Sequence, residues 1–237
     1  MTVHSYYYIV LEMFPEFAEN NSTGQVFMQE NRFDKAALNW DEVPERIEMA
    51  KHFATAIEDI IPLASNMQVL DFGSGTGNVA IGLAHLVETI TAVDSSTGMI
   101  KALEKKLAES GIKNIKPLLT ELDEGSFPNA SFDLIYTCMT FHHIKDIERV
   151  LRLFYKMLTP CGYLVLIDLE KEDGSFHDDK AGLAHFGFEP EQLGHTLENV
   201  GFTDIYSRTA YTRVKTLPSG ISREYPIFLI TGMKSIA

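Results

Sequence analysis

The residues best placed to do chemistry fall into three groups. The first is Asp71-Phe72-Gly73-Ser74-Gly75-Thr76-Gly77, an acid followed by alternating glycines. Glycine takes positive φ without strain, and its missing Cβ lets a ligand approach the main chain itself. A helix starting at such a turn adds free N–H groups and the positive end of its dipole, a setting for a charged ligand. The second is Asp94, about twenty residues beyond the glycines, the spacing at which an acid at a strand tip accepts ribose hydroxyls. An aspartate before Ser95 and Ser96 also reads as a helix cap. The third is Thr140-Phe141-His142-His143-Ile144, whose imidazoles titrate near neutral pH and can take a proton or hold a reactant in line. A ligand that is part nucleoside and part charged group fits this set.

These groups need strands that end at them. Met67 to Leu70 reads as a buried strand running into the glycine turn, and Ala80, Leu83, Ala84 and Val87 follow at helical spacing. Thr89 to Asp94 is a second strand, and Ile100, Leu103 and Leu107 lie on a helix ending near Gly111. Ile115 to Leu119 is a third strand. Phe132 to Thr137 is nearly continuously apolar, as a strand covered on both faces is. Ile147, Val150, Leu151, Phe154 and Leu158 form an amphipathic helix closed by Thr159-Pro160-Cys161-Gly162, where Gly162 is expected to supply the turn's freedom. Tyr163 to Leu169 is the fifth strand. The charged stretch Lys171 to Lys180 is expected to be a mobile loop over the site rather than core. Leu193, Leu197 and Val200 mark another helix, and 201–205 and 225–231 two last strands. Upstream, Pro44 occupies a first helical position before Ile47, Ala50, Ala54, Ile57 and Ile61. The alternation predicts an α/β fold, a three-layer αβα sandwich around a mainly parallel seven-stranded sheet.

A chain of 237 residues, 45% hydrophobic, suits one domain with a substantial core. Residues 1–30 read as an extension of unknown role and residues 31–237 as the domain. The 20 Lys and Arg against 33 Asp and Glu give −13, a charge that repels a phosphate backbone and argues against nucleic acid. Cys138 and Cys161 stand in no disulfide or zinc spacing, which fits a reducing cytoplasm. There is no apolar run long enough to span a membrane and no signal-peptide pattern at the N-terminus.

The third glycine comes one residue too early for the dinucleotide pattern G-x-G-x-x-G, whose place Asn78 takes, so a nicotinamide cofactor is disfavoured. The stretch Asp71 to Gly77 instead resembles D-x-G-x-G-x-G, motif I of the class I S-adenosylmethionine-dependent methyltransferases. Phe141-His142-His143-Ile144 resembles the L-H-H-hydrophobic signature of the group that includes quinone-biosynthesis C-methyltransferases. Thr159 to Gly162 is similar to L-x-P-G-G, with Cys161 in place of a glycine. The resemblance runs from Phe33 to Lys234 and implies a Rossmann-like sheet closed by an antiparallel C-terminal strand.

It also implies S-adenosyl-L-methionine as cofactor and a small-molecule acceptor. The cofactor would be held by Asp71, Gly73, Ser74, Gly75 and Gly77, its ribose by Asp94 and Ser95. Met99, Glu121 and Leu122 would lie at the adenine, with Thr137 at the fourth strand's end and Trp40 on a leader, 33–40, folded over the site. The bland alternatives are core packing for Phe33, Trp40 and Met99 and a solvated loop for Glu121. His142 or His143 would serve at the acceptor, at least one of them packing beneath the loop, with Asp168, His177 and His185 next in line. Adjacent histidines are expected to point apart and to hold no metal. The assembly would be a monomer or homodimer. Two other readings stay open: a non-catalytic binder of S-adenosylmethionine or S-adenosylhomocysteine and, against the glycine spacing, an NAD-linked oxidoreductase.

Overall fold

The structure, a computed structural model, describes residues 32–121, 125–217 and 220–236. The expected extension over 1–30 and the adenine candidate Leu122 lie outside them. The described residues open with α1 (Arg32–Ala36) and a 3-10 turn (Ala37–Glu42), then α2 (Pro44–Ile60) with Pro44 in its first turn, where a missing N–H costs nothing. Strands β1 (Gln68–Phe72), β2 (Thr89–Asp94), β3 (Ile115–Leu119) and β4 (Phe132–Cys138) alternate with α3 (Asn78–Leu83), α4 (Thr97–Ser110) and α5 (Ile147–Met157). Then come β5 (Leu158–Leu169), α6 (Pro190–Val200), β6 (Phe202–Thr216) and β7 (Ser222–Lys234).

The seven strands form one sheet in the order β3-β2-β1-β4-β5-β7-β6, with β7 antiparallel to both neighbours and the remaining pairs parallel. The order reverses between β1 and β4, and open α/β sheets bind ligands at the carboxyl ends of strands flanking such a reversal. Successive strand residues point to opposite faces, so Val69, Val165 and Ile167 pack with Phe53, Ile57 and Leu83 on one side. Leu70, Leu164 and Leu166 pack with Leu151, Phe154 and Leu197 on the other. Each such fully buried side chain contributes roughly 1.5–3 kcal/mol by leaving water. That two-sided cover holds the strand tips rigid beneath the site.

Four expectations are corrected. β5 starts at Leu158, not Tyr163, and a bulge in its pairing with β4 accommodates the Pro160-Cys161 stretch. Within it Cys161, not Gly162, takes positive φ (64°), while Gly162 serves close packing, because a Cβ there would lie 2.9 Å from the Thr159 carbonyl oxygen. The last two strands are a long hairpin of 15 and 13 residues, far beyond the apolar cores that mark them in sequence. The stretch 171–180 is not simply a loop over the site. Phe176 is buried in the core cluster against Tyr225, Ser175 bonds the Tyr225 hydroxyl, and Lys215 holds the Phe176 carbonyl.

Candidate functional site

The carboxyl ends of β1, β2 and β4 open into a cavity of about 370 Å³, within the usual size of a small-molecule site. Asp71, one residue before the end of β1, is 2% exposed, and its Oδ2 is buried without a hydrogen bond among the described residues. Burial raises its pKa from 3.8 to about 8, the charge of Asp94 adds to the rise, and the Tyr136 hydroxyl alongside opposes it. Gly73, Gly75 and Gly77 all take positive φ, yet for different reasons. A Cβ on Gly73 would strike Thr140 and one on Gly77 would strike Leu103, each at 2.3 Å. A Cβ on Gly75 would meet no protein atom within 4 Å, because that residue faces the cavity. Gly77 is the N-cap of α3 and stands outside the cavity lining.

Asp94 is committed to the protein as well as to the cavity. Its Oδ2 accepts from Gly75 N and its Oδ1 from Ser96 N, both at 2.8 Å, so it ties the glycine turn to the start of α4. The cap of α4 is Ser96, whose side chain accepts from Met99 N. Burial is the main reason the Asp94 pKa is raised. Ser74, Ser95, Met99 and Glu121 line the same cavity, Met99 buried and Glu121 exposed at the rim. Thr137 does not reach it: this buried residue lies below the lining, and its hydroxyl makes no hydrogen bond among the described residues.

The segment 33–42 roofs the cavity, and two aspartates that the sequence reading gave no site role fasten it there. Asp34 accepts from the Ser96 hydroxyl (2.7 Å) and Gly98 N (2.8 Å). Asp41 accepts from Thr76 and Asn78, each at 2.8 Å, and pairs with Lys106 at 2.9 Å. Those bonds hold the Asp41 carboxyl below its usual range although burial pushes the other way. Phe33 and Trp40, thus placed, meet edge to face at 6.2 Å and both line the cavity. Nothing in the sequence signals these aspartates, since their partners lie 35 to 65 positions away.

Across the cavity, Met139 takes positive φ (55°), a strained conformation for a side-chain-bearing residue, and turns the chain so that Thr140 packs under Gly73. The 3-10 turn Phe141–His143 then brings the two imidazoles together, ring centroids 4.1 Å apart, rather than apart as expected. His142 is buried at 1% exposure and does not line the cavity. Its Nδ1 donates to Asp168 Oδ1 at 2.7 Å, and its main-chain N donates to Asp168 Oδ2. His143 is half-buried on the cavity wall, with Phe33 at 5.3 Å and the Gly182 carbonyl accepting from Nδ1 at 3.0 Å. His177 lies 4.9 Å from the His142 ring, and His185 Nε2 donates to the Ile144 carbonyl. Among the described residues no group of three or more His, Cys, Asp or Glu is arranged to hold a metal.

Residues 69–162 match the methyltransferase-domain family, a span that holds the glycine turn, Asp94 and the histidine pair. That match, to a methyltransferase domain, runs from β1 to the start of β5. An uncharacterised methyltransferase of Schizosaccharomyces pombe is 30% identical over 155 residues, 59% of this chain and 55% of that protein. The ubiquinone/menaquinone biosynthesis C-methyltransferase of Rickettsia akari is 26% identical over 121 residues, 48% of this chain and 49% of its own. A S-adenosylmethionine-dependent methyltransferase structure from Aquifex aeolicus superposes with a TM-score of 0.63 at 22% identity, covering 85% of this chain and 98% of that one. The chain spans about half the length of the curated relatives it matches. The cavity's residues fit S-adenosylmethionine: a buried carboxylate oxygen at Asp71, without a hydrogen bond among the described residues, and an open main-chain cradle at Gly75 line it together.

Proposed function

We propose that the protein transfers a methyl group from S-adenosylmethionine to a small-molecule acceptor bound in this cavity. The observation that carries the reading is the meeting, in one cavity, of the open glycine turn, Asp71 and Asp94 with His143 on another wall. When bound, S-adenosylmethionine supplies a methyl already activated on a sulfonium, which leaves as S-adenosylhomocysteine, so a nucleophilic side chain is not required. The chain's own work is alignment, exclusion of water and handling of the acceptor proton.

Asp94 and Ser95 would hold the ribose, Met99 and Glu121 the adenine, and Asp71 the cationic amino-acid end. Phe33 and Trp40 close the roof against water. A carbonyl can only accept, so Gly182 fixes Nδ1 of neutral His143 as the protonated nitrogen and leaves the basic lone pair on Nε2. That atom takes the proton from an acceptor hydroxyl, thiol or amine as the new bond to carbon forms. His142 is a positioning residue in this scheme: through Asp168 it anchors the turn that carries His143. A reducing cytoplasmic setting belongs to the same reading, supported by two free thiols, Cys138 and Cys161.

The test is a metabolite extract incubated with labelled methyl donor and the protein. A labelled small-molecule product, absent without protein, is expected. Tight S-adenosylhomocysteine binding with no label transferred to anything would instead favour a non-catalytic cofactor-binding protein.

A further inference from the structure

We propose that Arg46 is the anion-reading residue of the cavity, pairing with a carboxylate or phosphate group on a molecule bound there. The inference rests on this cavity being the ligand site and adds to it the charge of one ligand group. Three carboxylates, Asp71, Asp94 and Glu121, stand at the strand ends, whereas Arg46 is the one Arg or Lys among the described residues that line the cavity. It projects from the first turns of α2 on the roof side. Its guanidinium lies 3.9 Å over the Trp40 ring, and Nη1 donates to the Trp40 carbonyl at 3.3 Å.

Both of those partners are neutral, and among the described residues Arg46 makes no ion pair. The acid whose charge acts on it, Asp41, is occupied by Thr76, Asn78 and Lys106. A second guanidinium, Arg213 from β6, is close enough to repel it and, with burial as the larger cause, lowers its pKa. Two cations thus act on each other here, and the acids whose charges reach them, Asp41 and Asp178, are already paired with Lys106 and Lys215, in a chain of net charge −13. A partly desolvated cation costs free energy until an anion meets it. The guanidinium has five donors in a planar fork suited to bidentate contact with a carboxylate or phosphate, and only one is engaged. Stacking on Trp40 holds that fork in place before a ligand arrives.

The anion has two possible sources, the amino-acid carboxylate of the cofactor or an acidic group on the acceptor, and one optical probe separates them. Trp40 is the sole tryptophan of the chain and lies beneath the guanidinium, so its fluorescence reports on this corner. Wild type and Arg46→Gln would be titrated with S-adenosylhomocysteine and with the same thioether lacking its carboxyl group. If the cofactor supplies the anion, Arg46→Gln loses roughly ten- to a hundredfold in affinity for the first and none for the second. If the acceptor supplies it, S-adenosylhomocysteine binds both proteins alike. Benzoate or inorganic phosphate, but not neutral benzamide, then shifts the emission of the wild-type complex, and Arg46→Gln abolishes the shift. Arg46→Lys, which keeps charge without the planar fork, should retain part of either effect, and an unchanged melting temperature excludes a folding artefact. The proposal is overturned if Arg46→Gln keeps wild-type affinity for S-adenosylhomocysteine and neither anion perturbs the wild type. If the wild type binds no S-adenosylhomocysteine, the cofactor reading fails, while the anion titrations of the free protein still decide the role of Arg46.

Discussion

Replacing Asp71 by Asn should abolish a proton release that accompanies cofactor binding. Asp71 is 2% exposed, and burial with the neighbouring Asp94 charge raises its pKa to about 8 from an ordinary 3.8. At pH 7 such a carboxyl is roughly nine-tenths protonated, and at pH 9 about one-tenth. A cationic amino-acid end brought against it favours the ionised form and draws the pKa back toward the usual carboxylate range. Binding should therefore release about 0.9 proton per site at pH 7 and only about 0.1 at pH 9. The sign for the free protein follows: between pH 3.8 and about 8 the native state holds a proton that the unfolded chain has lost. Stability from this group is fully present below that window and falls as pH rises through it. Calorimetric titrations with S-adenosylhomocysteine in HEPES and in Tris, whose ionisation enthalpies differ, count the protons directly. A binding enthalpy independent of buffer in the wild type, or an unchanged proton count in Asp71→Asn, would refute the reasoning.

Asp94→Ala should weaken S-adenosylhomocysteine tens- to hundredfold, on charge-assisted bonds of roughly 1.5–3 kcal/mol each. Because it also strands Gly75 N and Ser96 N, the melting temperature should fall too; full stability with full affinity would contradict both roles. Gly75→Val places a side chain at φ +54° in the open cradle and should abolish binding while the protein still folds. Gly77→Val, driven into Leu103, should chiefly lower the melting temperature, and the reverse pattern would undo the distinction between the two glycines. Once an acceptor is known, His143→Gln should cost at least tenfold in turnover with cofactor affinity kept, general-base help being worth about a hundred- to ten-thousandfold. His142→Gln should act mainly through stability, and a larger turnover loss there would move the base to His142.

The strand ends and the glycine turn were legible because local chemistry dictates them. An apolar run, an acid and alternating glycines define β1 and its turn without reference to the rest of the chain, and the ranges of β2 and β3 in the structure coincide with their hydrophobic runs. The roof was only half legible. Phe33 and Trp40 stood out as aromatics, whereas Asp34 and Asp41 act through partners 35 to 65 positions away. Arg46 was invisible as a site residue because one arginine on an amphipathic helix looks like a solvated face. The positive φ at Met139 and at Cys161 is not encoded in residue type alone, since neither is a glycine. Phe176 went unread as core because it is one apolar residue within a charged stretch, placed by the long β6–β7 hairpin that packs beneath it.

The most direct test of the central claim is a calorimetric comparison of S-adenosylhomocysteine and NAD on the wild-type protein. The cavity, built from an open glycine turn with Asp71 and Asp94 beside it, should bind S-adenosylhomocysteine at one site per chain and show no measurable NAD affinity. Tight NAD binding without S-adenosylhomocysteine binding would contradict it.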